Sequence, residues 1–292
     1  MTAGASIILG TAQFGMPYGV ANRTGQLDRA QAEATIRIAR SGGIRLLDTA
    51  VGYGQSEGLL GTLDLGDMKV MTKLPAVPSG CADVRRWVRQ QVTDSLERLH
   101  VSRLRGLSFH RPEQLLEAVG QDLYQEVRSL QDQGLVEKIG VSIYEPGELG
   151  PLLAGRRFDM VQAPFNILDR RLVATGWVER LNGLGCEVHA RSVFLQGLLL
   201  LPAAMRPPYF DRWRSLLSDW DRWLLEVGLS PLHACLRFAL ATPGIAKLVV
   251  GVDGPEQLEQ VLAAAEGRLP PVPGRLSCTD PDLLNPARWT RE

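Results

Sequence analysis

Residues 69–110 read KVMTKLPAVPSGCADVRRWVRQQVTDSLERLHVSRLRGLSFH and contain two short strand patterns separated by a helix pattern. The first strand pattern covers residues 69–72 and stops at Lys73, and the second covers residues 104–109 and stops at His110. Between them, apolar side chains recur at every third or fourth position, as on one face of a helix: Val84, Trp87, Val88, Val92, Leu96 and Leu99. A strand, a helix and a strand in this order predict two parallel strands with the helix packed outside them.

The same alternation continues on both sides of this segment. Further strand patterns lie at residues 7–9, 43–47, 136–141, 158–161, 187–190 and 247–250. Further helix patterns lie at residues 28–41, 57–63, 116–130 and 255–265. About eight strand–helix units in a chain of this length favour an α/β fold of the (β/α)8 TIM-barrel type. A Rossmann-type sheet alternates in the same way, but no Gly-x-Gly-x-x-Gly follows the first strand pattern.

Two irregular regions interrupt this alternation. Residues 198–229 are rich in Pro and Trp, and they are predicted to form a long loop over the barrel mouth. Its tryptophans could line a pocket, but packing in the outer core is the expectation for at least two of Trp213, Trp220 and Trp223. The Pro-rich chain after Leu269 is expected to be a loop or a mobile end. No linker rich in Ser, Gly or Pro divides the chain, so residues 1–292 are predicted to form a single domain.

The composition narrows the classes of partner. The chain has 32 Lys+Arg and 32 Asp+Glu among 292 residues, so it lacks the broad electrostatic footprint of a protein that binds nucleic acid or an anionic membrane. The opening MTAGASIILG does not resemble a signal peptide, and no stretch approaches the roughly 18 apolar residues of a membrane span. Four scattered cysteines form no metal-binding motif. These features predict a cytoplasmic protein with reduced cysteines, no metal and a small-molecule ligand.

Four polar residues follow consecutive strand patterns and are candidates for catalysis. Asp48 follows the second strand, Tyr53 lies in the loop beyond it, Lys73 follows the third and His110 the fourth. Catalytic residues of such barrels come from the C-terminal ends of different strands, so these side chains are expected to converge. Each has an ordinary structural explanation when it is taken alone, as a helix cap, a solvated cation, a packed aromatic or a turn residue. Their joint occurrence after neighbouring strands favours a shared site.

The chemistry that this group suits is proton delivery to a carbonyl. A carbonyl that receives hydride becomes an alkoxide and needs a proton in the transition state. Tyr53 could donate that proton if a nearby Lys73 ammonium stabilised the phenolate left behind. Asp48 could pair with Lys73 and hold it in place, and His110 could orient the carbonyl oxygen through a hydrogen bond.

The residues around this group resemble the sequence blocks of the aldo/keto reductase family. Residues 47–57, LDTAVGYGQSE, match the family's Asp-Thr-Ala-x-x-Tyr-Gly-x-Ser-Glu segment, and residues 9–15, LGTAQFG, resemble its first-strand signature. The other similar blocks are residues 72–73, 109–112, 134–142, 161–166 and 251–260. The resemblance runs in order from Leu9 to about Ala265, which is nearly the whole chain.

The resemblance implies a catalytic tetrad and a nicotinamide cofactor. The tetrad would be Asp48, Tyr53, Lys73 and His110. Ser142, Gln162 and Arg191 would contact the nicotinamide end of the cofactor, and Ser192 with the loop that follows it would contact the pyrophosphate. The chain around Gly251 and Gln257 would approach the adenosine end, and Gly10 and Thr11 would lie beside the cofactor at the barrel mouth. The implied reaction is NAD(P)H-dependent reduction of the carbonyl of an aldehyde, ketone or sugar. The resemblance to this family favours NADPH as the cofactor.

Two departures from the family pattern affect the cofactor. Ile143 stands where many relatives have Asn, and Arg191 stands where an aromatic side chain often stacks on the nicotinamide. A guanidinium can also stack, but the positive ring of an oxidised cofactor would repel it, so Arg191 is expected to favour the reduced form. The adenosine-end loop around Asp253 has no evident basic residue for a 2′-phosphate, which leaves NADH open, and Arg268 lies farther along the chain.

Other functions remain compatible with the sequence. The same tetrad could run in reverse as a sugar dehydrogenase, or the barrel could bind a cofactor as a regulatory protein with little turnover. A third alternative is an aldolase that uses Lys73 as a Schiff base. Substrate identity is expected to lie in residues 16–25 and 198–223, and nothing in the sequence indicates an oligomeric state.

Overall fold

A computed structural model describes residues 3–289, and its centre is a closed barrel of eight parallel strands in chain order. The strands are β1 Ile7–Gly10, β2 Leu46–Asp48, β3 Lys69–Leu74, β4 Gly106–Phe109, β5 Ile139–Ser142, β6 Met160–Pro164, β7 Glu187–Arg191 and β8 Lys247–Gly251. The barrel closes where β1 pairs with β8, with Leu9 opposite Val250, while Leu9 also pairs with Leu47 of β2. The predicted (β/α)8 barrel is confirmed.

The helices surround this barrel. Within residues 3–289 they are α1 Ala12–Gly15, α2 Arg29–Ser41, α3 Ser56–Gly61, α4 Val84–Leu99, α5 Gly120–Asp132, α6 Leu149–Leu153, α7 Arg171–Ala174, α8 Trp177–Gly183, α9 Arg214–Val227, α10 Pro231–Ala241, α11 Pro255–Ala264 and α12 Pro281–Leu284. Short 3-10 segments lie at Ala3–Ser6, Pro112–Leu116, Pro146–Glu148, Leu198–Leu200, Ala203–Met205, Pro208–Trp213 and Pro286–Arg288.

Local chemistry sets the helix boundaries that the periodicity predicts. Asp28 caps α2 by accepting a hydrogen bond from the backbone N–H of Gln31, whose side chain accepts one from the backbone N–H of Asp28. Asp83 caps α4 by accepting a hydrogen bond from the backbone N–H of Arg86, and His100, which follows the end of α4, adopts a left-handed conformation. Gly134, with φ of 77°, follows α5 and turns the chain toward β5.

The core lies in two places. A small cluster inside the barrel contains Ile8, Met71 and Met160, and a much larger apolar layer fills the space between the strands and the helices. This arrangement leaves the loops at the C-terminal ends of the strands free to form a site.

The region from residue 198 to 229 differs from the prediction of a long loop. Its first part is irregular, but α9 occupies residues 214–227 and buries Leu217, Trp220 and Trp223. The two tryptophan rings stack with their centroids 5.7 Å apart, and the Trp220 indole N–H donates to the carbonyl of Leu199. The apolar side chains at helical spacing pack this helix into the outer apolar core. Trp213 is also buried, so the prediction that these tryptophans fill the outer core is confirmed.

Residues 270–289, the described part of the chain after Leu269, pack against the rest of the protein, although much of this segment is loop. Leu276, Leu283 and Leu284 are buried, and the backbone N–H of Cys278 donates to the carbonyl of Leu168. Arg170 donates to the carbonyl of Leu276 at 2.8 Å. Burial of apolar side chains and these hydrogen bonds fix the tail against the barrel.

Within residues 3–289, no single helix is long and apolar enough to cross a membrane, although Pro208–Val227 and Pro231–Ala241, bent by 90°, meet that test of length and composition as a pair. All four cysteines are free.

Candidate active site

The C-terminal ends of β2, β3 and β4 bring together the four residues predicted to act in catalysis. The Lys73 Nζ atom donates to Asp48 Oδ2 at 2.5 Å and to the carbonyl of Thr49 at 3.0 Å. It also lies 3.2 Å from the Tyr53 hydroxyl. The His110 ring packs edge-on against the Tyr53 ring, with the centroids 5.9 Å apart. The expected convergence of these side chains is therefore present.

The Lys73 ammonium is buried, with 1% of its side chain exposed. Its surroundings have opposing effects on its pKa. Burial alone would lower the pKa of Lys73, but the charges of Asp48 and Tyr53 and their hydrogen bonds outweigh burial and raise it. The lysine is therefore a cation at neutral pH. Gln162 donates to the other carboxylate oxygen of Asp48 at 3.0 Å, which fixes the carboxylate on both sides.

The His110 imidazole is uncharged at neutral pH. Burial, followed by the positive charge of Lys73, lowers the pKa of His110 to about 4. A neutral imidazole can donate one N–H to an oxygen in the site without adding a second positive charge beside Lys73.

The loop that carries Tyr53 is anchored at its far end by buried polar contacts. The Ser56 hydroxyl lies 2.8 Å from the carbonyl oxygen of Thr11 and accepts a hydrogen bond from the Thr49 hydroxyl at 3.0 Å. The neighbouring Glu57 carboxylate accepts from the Thr72 hydroxyl at 2.6 Å, one residue before Lys73. No role was predicted for Ser56 or Glu57, although both belong to the segment 47–57 that resembles the family.

A cavity of about 470 Å³ opens beside Tyr53 and extends to the loop between β8 and α11. Its wall includes most of the predicted site residues: Gly10, Thr11, Asp48, Tyr53, Gln162, Arg191, Ser192, Gly251 and Gln257. Lys73 and His110 do not line the cavity, but both contact Tyr53, which does. Ser142 is buried at the end of β5, in register with Gln162, and does not line the cavity.

The two loops expected to determine substrate identity contribute unequally to this cavity wall. Residues 16–25 contribute Tyr18, Gly19, Ala21 and Asn22, as expected. Residues 198–223 contribute only Leu200, because the tryptophans of this region pack into the outer core instead.

The Arg191 side chain, at the end of β7, is fixed by hydrogen bonds and by stacking on an aromatic ring. Its guanidinium donates to the Ser192 hydroxyl at 3.1 Å and to the carbonyl of Ile143 at 2.9 Å. It lies over the Tyr144 ring, 4.5 Å from the centroid, and forms no ion pair with any residue of the described range 3–289. A cation without a counter-ion therefore faces the cavity.

The loop after β7 has a backbone suited to an anion. Ser192, Leu195 and Gln196 are non-glycine residues with positive φ, and Gly197 follows them with φ of 90°. Such strained backbone concentrates at ligand sites, where it aims amide groups that a regular turn would not. The first residue of α10, Pro231, also lines the cavity, so the partial positive charge of that helix N-terminus points toward it.

These features fit a dinucleotide cofactor. The buried Gln13 Oε1 atom has no hydrogen-bond partner within the described residues, and Gln13 lines the cavity. A cavity with an unpaired acceptor, a strained backbone segment and a helix N-terminus offers partners for an amide, a pyrophosphate and ribose hydroxyls. Among the described residues, no group of three or more His, Cys, Asp or Glu could hold a metal ion.

Sequence reasoning missed a contact that joins two distant loops. The side-chain amides of Gln13 and Asn22 both donate to Asp253 Oδ1, at 3.3 and 2.9 Å. Gln257 accepts from the backbone N–H of Asp253 at 2.6 Å. Burial raises the pKa of Asp253, and the two amide donors lower it in part. The partners lie more than 200 positions apart, so no local spacing could have indicated this contact.

Comparisons with known proteins agree with this geometry. A model of the Aldo/keto reductase family matches residues 6–271. Aldo-keto reductase YhdN of Bacillus subtilis is 23% identical over 266 residues, which cover 80% of this chain and 78% of that protein.

Solved structures share the fold. The holo form of aldo-keto reductase AKR11C1 from Bacillus halodurans has a TM-score of 0.72 at 20% identity, with 91% of this chain and 88% of that chain covered. Glycerol dehydrogenase AKR11B4 from Gluconobacter oxydans has a TM-score of 0.68 at 20% identity, with the same 91% and 88% covered.

Proposed function

Because the chain belongs to the aldo/keto reductase family and is an oxidoreductase, we propose that it reduces the carbonyl of an aldehyde, ketone or sugar with Tyr53 as general acid. One observation carries this proposal. The Tyr53 hydroxyl lies 3.2 Å from a buried ammonium, Lys73, on the wall of a cavity large enough for a small ligand. A phenol so placed can deliver a proton to an oxygen inside that cavity.

Each residue of the group has a role in this reaction. A nicotinamide cofactor supplies the hydride when it is bound. Tyr53 gives its proton to the developing alkoxide, and the Lys73 ammonium stabilises the phenolate that remains. Asp48 keeps Lys73 charged and in place, since it offsets the cost of burying that ammonium. His110, neutral at working pH, donates an N–H that orients the carbonyl oxygen.

The residues that would hold the cofactor are those on the cavity wall. Gln162, with Ser142 behind it, would meet the nicotinamide carboxamide, and the loop after Ser192 would meet the pyrophosphate. Gln257 would approach the adenosine end, and Gly10 and Thr11 would lie beside the cofactor at the barrel mouth. The family resemblance favours NADPH. The Asp253 carboxylate on the cavity wall near the adenosine end favours NADH instead. We place the reaction in the cytoplasm.

The variant Tyr53→Phe tests the proposal. The purified protein is incubated with NADPH or NADH and a panel of aldehydes, ketones and sugars, and oxidation of the cofactor is followed. We expect Tyr53→Phe to lower kcat by about 10²- to 10⁴-fold, because the proton donor is lost, while cofactor Kd changes by less than about threefold.

The matched control is Tyr124→Phe, which removes a hydroxyl that donates to the carbonyl of Arg157 far from the cavity. It should keep wild-type kcat. If Tyr53→Phe turns over as fast as the wild type, Tyr53 is not the general acid and the proposal fails.

The reverse direction is a second candidate, because the same groups can remove a proton from an alcohol. One structural relative is a glycerol dehydrogenase, and oxidised cofactor with sugars and polyols tests that direction. A wild-type protein that binds cofactor but turns over no substrate in either direction would favour the regulatory alternative. Trapping of a carbonyl substrate on Lys73 by borohydride would favour the aldolase.

A further inference from the structure

The loop between β8 and α11 places a carboxylate on the cavity wall. Asp253 lies between the end of β8 at Gly251 and the start of α11 at Pro255. The amides of Gln13 and Asn22 both donate to its Oδ1 atom, and no hydrogen bond from the described residues reaches Oδ2. Neutral amides fix the carboxylate without cancelling its charge, and one of its oxygens stays free to accept a further hydrogen bond.

No cation balances this carboxylate. In the described part of the chain, no Lys or Arg nitrogen lies within ion-pair distance of Asp253, and the only basic residue on the cavity wall is Arg191, at the end of β7. A second acid stands nearby, because the Glu256 Oε2 atom would lie 3.5 Å from a Cβ placed on Gly254. The loop before α11 and its first turn therefore carry two acidic side chains, of which Asp253 lies on the cavity wall.

The basic residues closest in sequence do not reach this point. Arg237 donates to the carbonyls of Ala264 and Arg268, at the far end of α11. That helix has 10 residues, so its ends are about 14 Å apart at a rise of about 1.5 Å per residue. Arg268 is exposed beside the same end. Arg23 is exposed next to Asn22 and forms no ion pair with a described residue.

We propose that Asp253 accepts a hydrogen bond from the adenosine ribose 2′-hydroxyl of NADH and excludes the 2′-phosphate of NADPH, so that the protein prefers NADH. The proposal rests on the proposed function, which places a nicotinamide dinucleotide in this cavity. A carboxylate is the natural partner of a ribose 2′-hydroxyl, whereas a 2′-phosphate needs a guanidinium or ammonium. Here the phosphate would meet the Asp253 carboxylate and no cation, which costs binding free energy.

Binding rather than turnover tests this proposal. Quenching of tryptophan fluorescence on titration gives Kd for NADH and for NADPH. We expect the wild type to bind NADH about tenfold or more tighter than NADPH. Asp253→Asn should bring the two Kd values within about threefold of each other, and Asp253→Arg should reverse the order. Thermal unfolding of both variants shows whether they fold, and Asp253→Asn keeps the size of the side chain.

Two controls separate this explanation from others. Asp64→Asn, which changes an exposed carboxylate far from the cavity, should leave the ratio of the two Kd values unchanged. Arg23→Ala should also leave it unchanged; a selective loss of NADPH affinity would make Arg23 a phosphate partner and overturn the proposal. NADPH bound as tightly as NADH by the wild type, or an unaltered ratio in folded Asp253→Arg, would overturn it as well. If neither cofactor binds, the proposed function itself fails.

Discussion

Arg191 places a fixed positive charge on the cavity wall. The Arg191 guanidinium is held by the Ser192 hydroxyl, the Ile143 carbonyl and the Tyr144 ring, so it cannot turn away without losing these contacts. A positive charge beside a pyridinium ring is unfavourable, whereas the same charge beside a neutral dihydropyridine is not. We therefore expect this side chain to weaken the binding of oxidised cofactor relative to reduced cofactor.

We predict that Arg191→Phe changes the balance between the two redox forms. Its Kd for oxidised cofactor, divided by its Kd for reduced cofactor, should fall by about 5- to 30-fold relative to the wild type, because a charge repulsion of about 1–2 kcal/mol is removed. Titration of both forms by fluorescence measures the ratio. Equal ratios in the two proteins would show that Arg191 does not act on the ring charge.

His110 provides a prediction about pH. The unfolded chain takes up a proton on histidine near pH 6.5, but the folded protein does so only near pH 4, because burial and Lys73 lower the pKa of His110. Between these values the unfolded state binds more protons, so this group's contribution makes stability fall as the pH drops from about 6.5 to about 4. His110→Gln should lose less unfolding free energy than the wild type over that interval.

Urea denaturation at pH 7 and pH 4.5 measures this difference. The control is His100→Asn, which alters an exposed histidine whose left-handed backbone asparagine also tolerates. It should follow the wild-type pH dependence. Parallel curves for all three proteins would contradict a neutral, buried His110.

At the scale of the element, the helical spacing of apolar residues in α9 was overlooked because the residues before it favour a loop. Leu217, Trp220 and Leu224 stand at helical spacing, which could have indicated a helix. Pro202, Pro207 and the crowded aromatics before residue 214 favoured a loop. The helix forms because two indole rings are buried in the outer apolar core, and that tertiary burial is not visible in a local window.

We predict that α9 is secured by its buried tryptophan and not by its exposed face. Trp220→Ala should lower the unfolding free energy by about 3–5 kcal/mol, because it leaves a large cavity and an unpaired carbonyl at Leu199. On the same helix, Leu225 is 83% exposed, so Leu225→Ala should change stability by less than about 0.5 kcal/mol. Urea denaturation compares the two variants. Equal losses would show that α9 is not packed as described.

At the scale of the whole molecule, the barrel and the catalytic group were predictable from the sequence for a shared reason. Alternating strand and helix patterns specify parallel strands, and parallel strands bring their C-terminal ends to one face. Asp48, Tyr53 and Lys73 could thus be expected to meet before any distance was known. The contact of Gln13 and Asn22 with Asp253 could not, because it depends on how two loops bend after the barrel has closed.

Because β1 pairs with β8, the barrel can close only late in translation of the chain. Residues Ile7 to Gly10 find their partners at Leu248 to Gly251, so roughly 240 residues must leave the ribosome after β1 before the seam can form. At about 5–20 residues per second this takes roughly 10–50 s. Throughout that interval one edge of β1 has its amides and carbonyls unpaired, and a neighbouring nascent chain could add a strand there. Translation speed and chaperone access are thus coupled to the yield of this protein through its first and last strands.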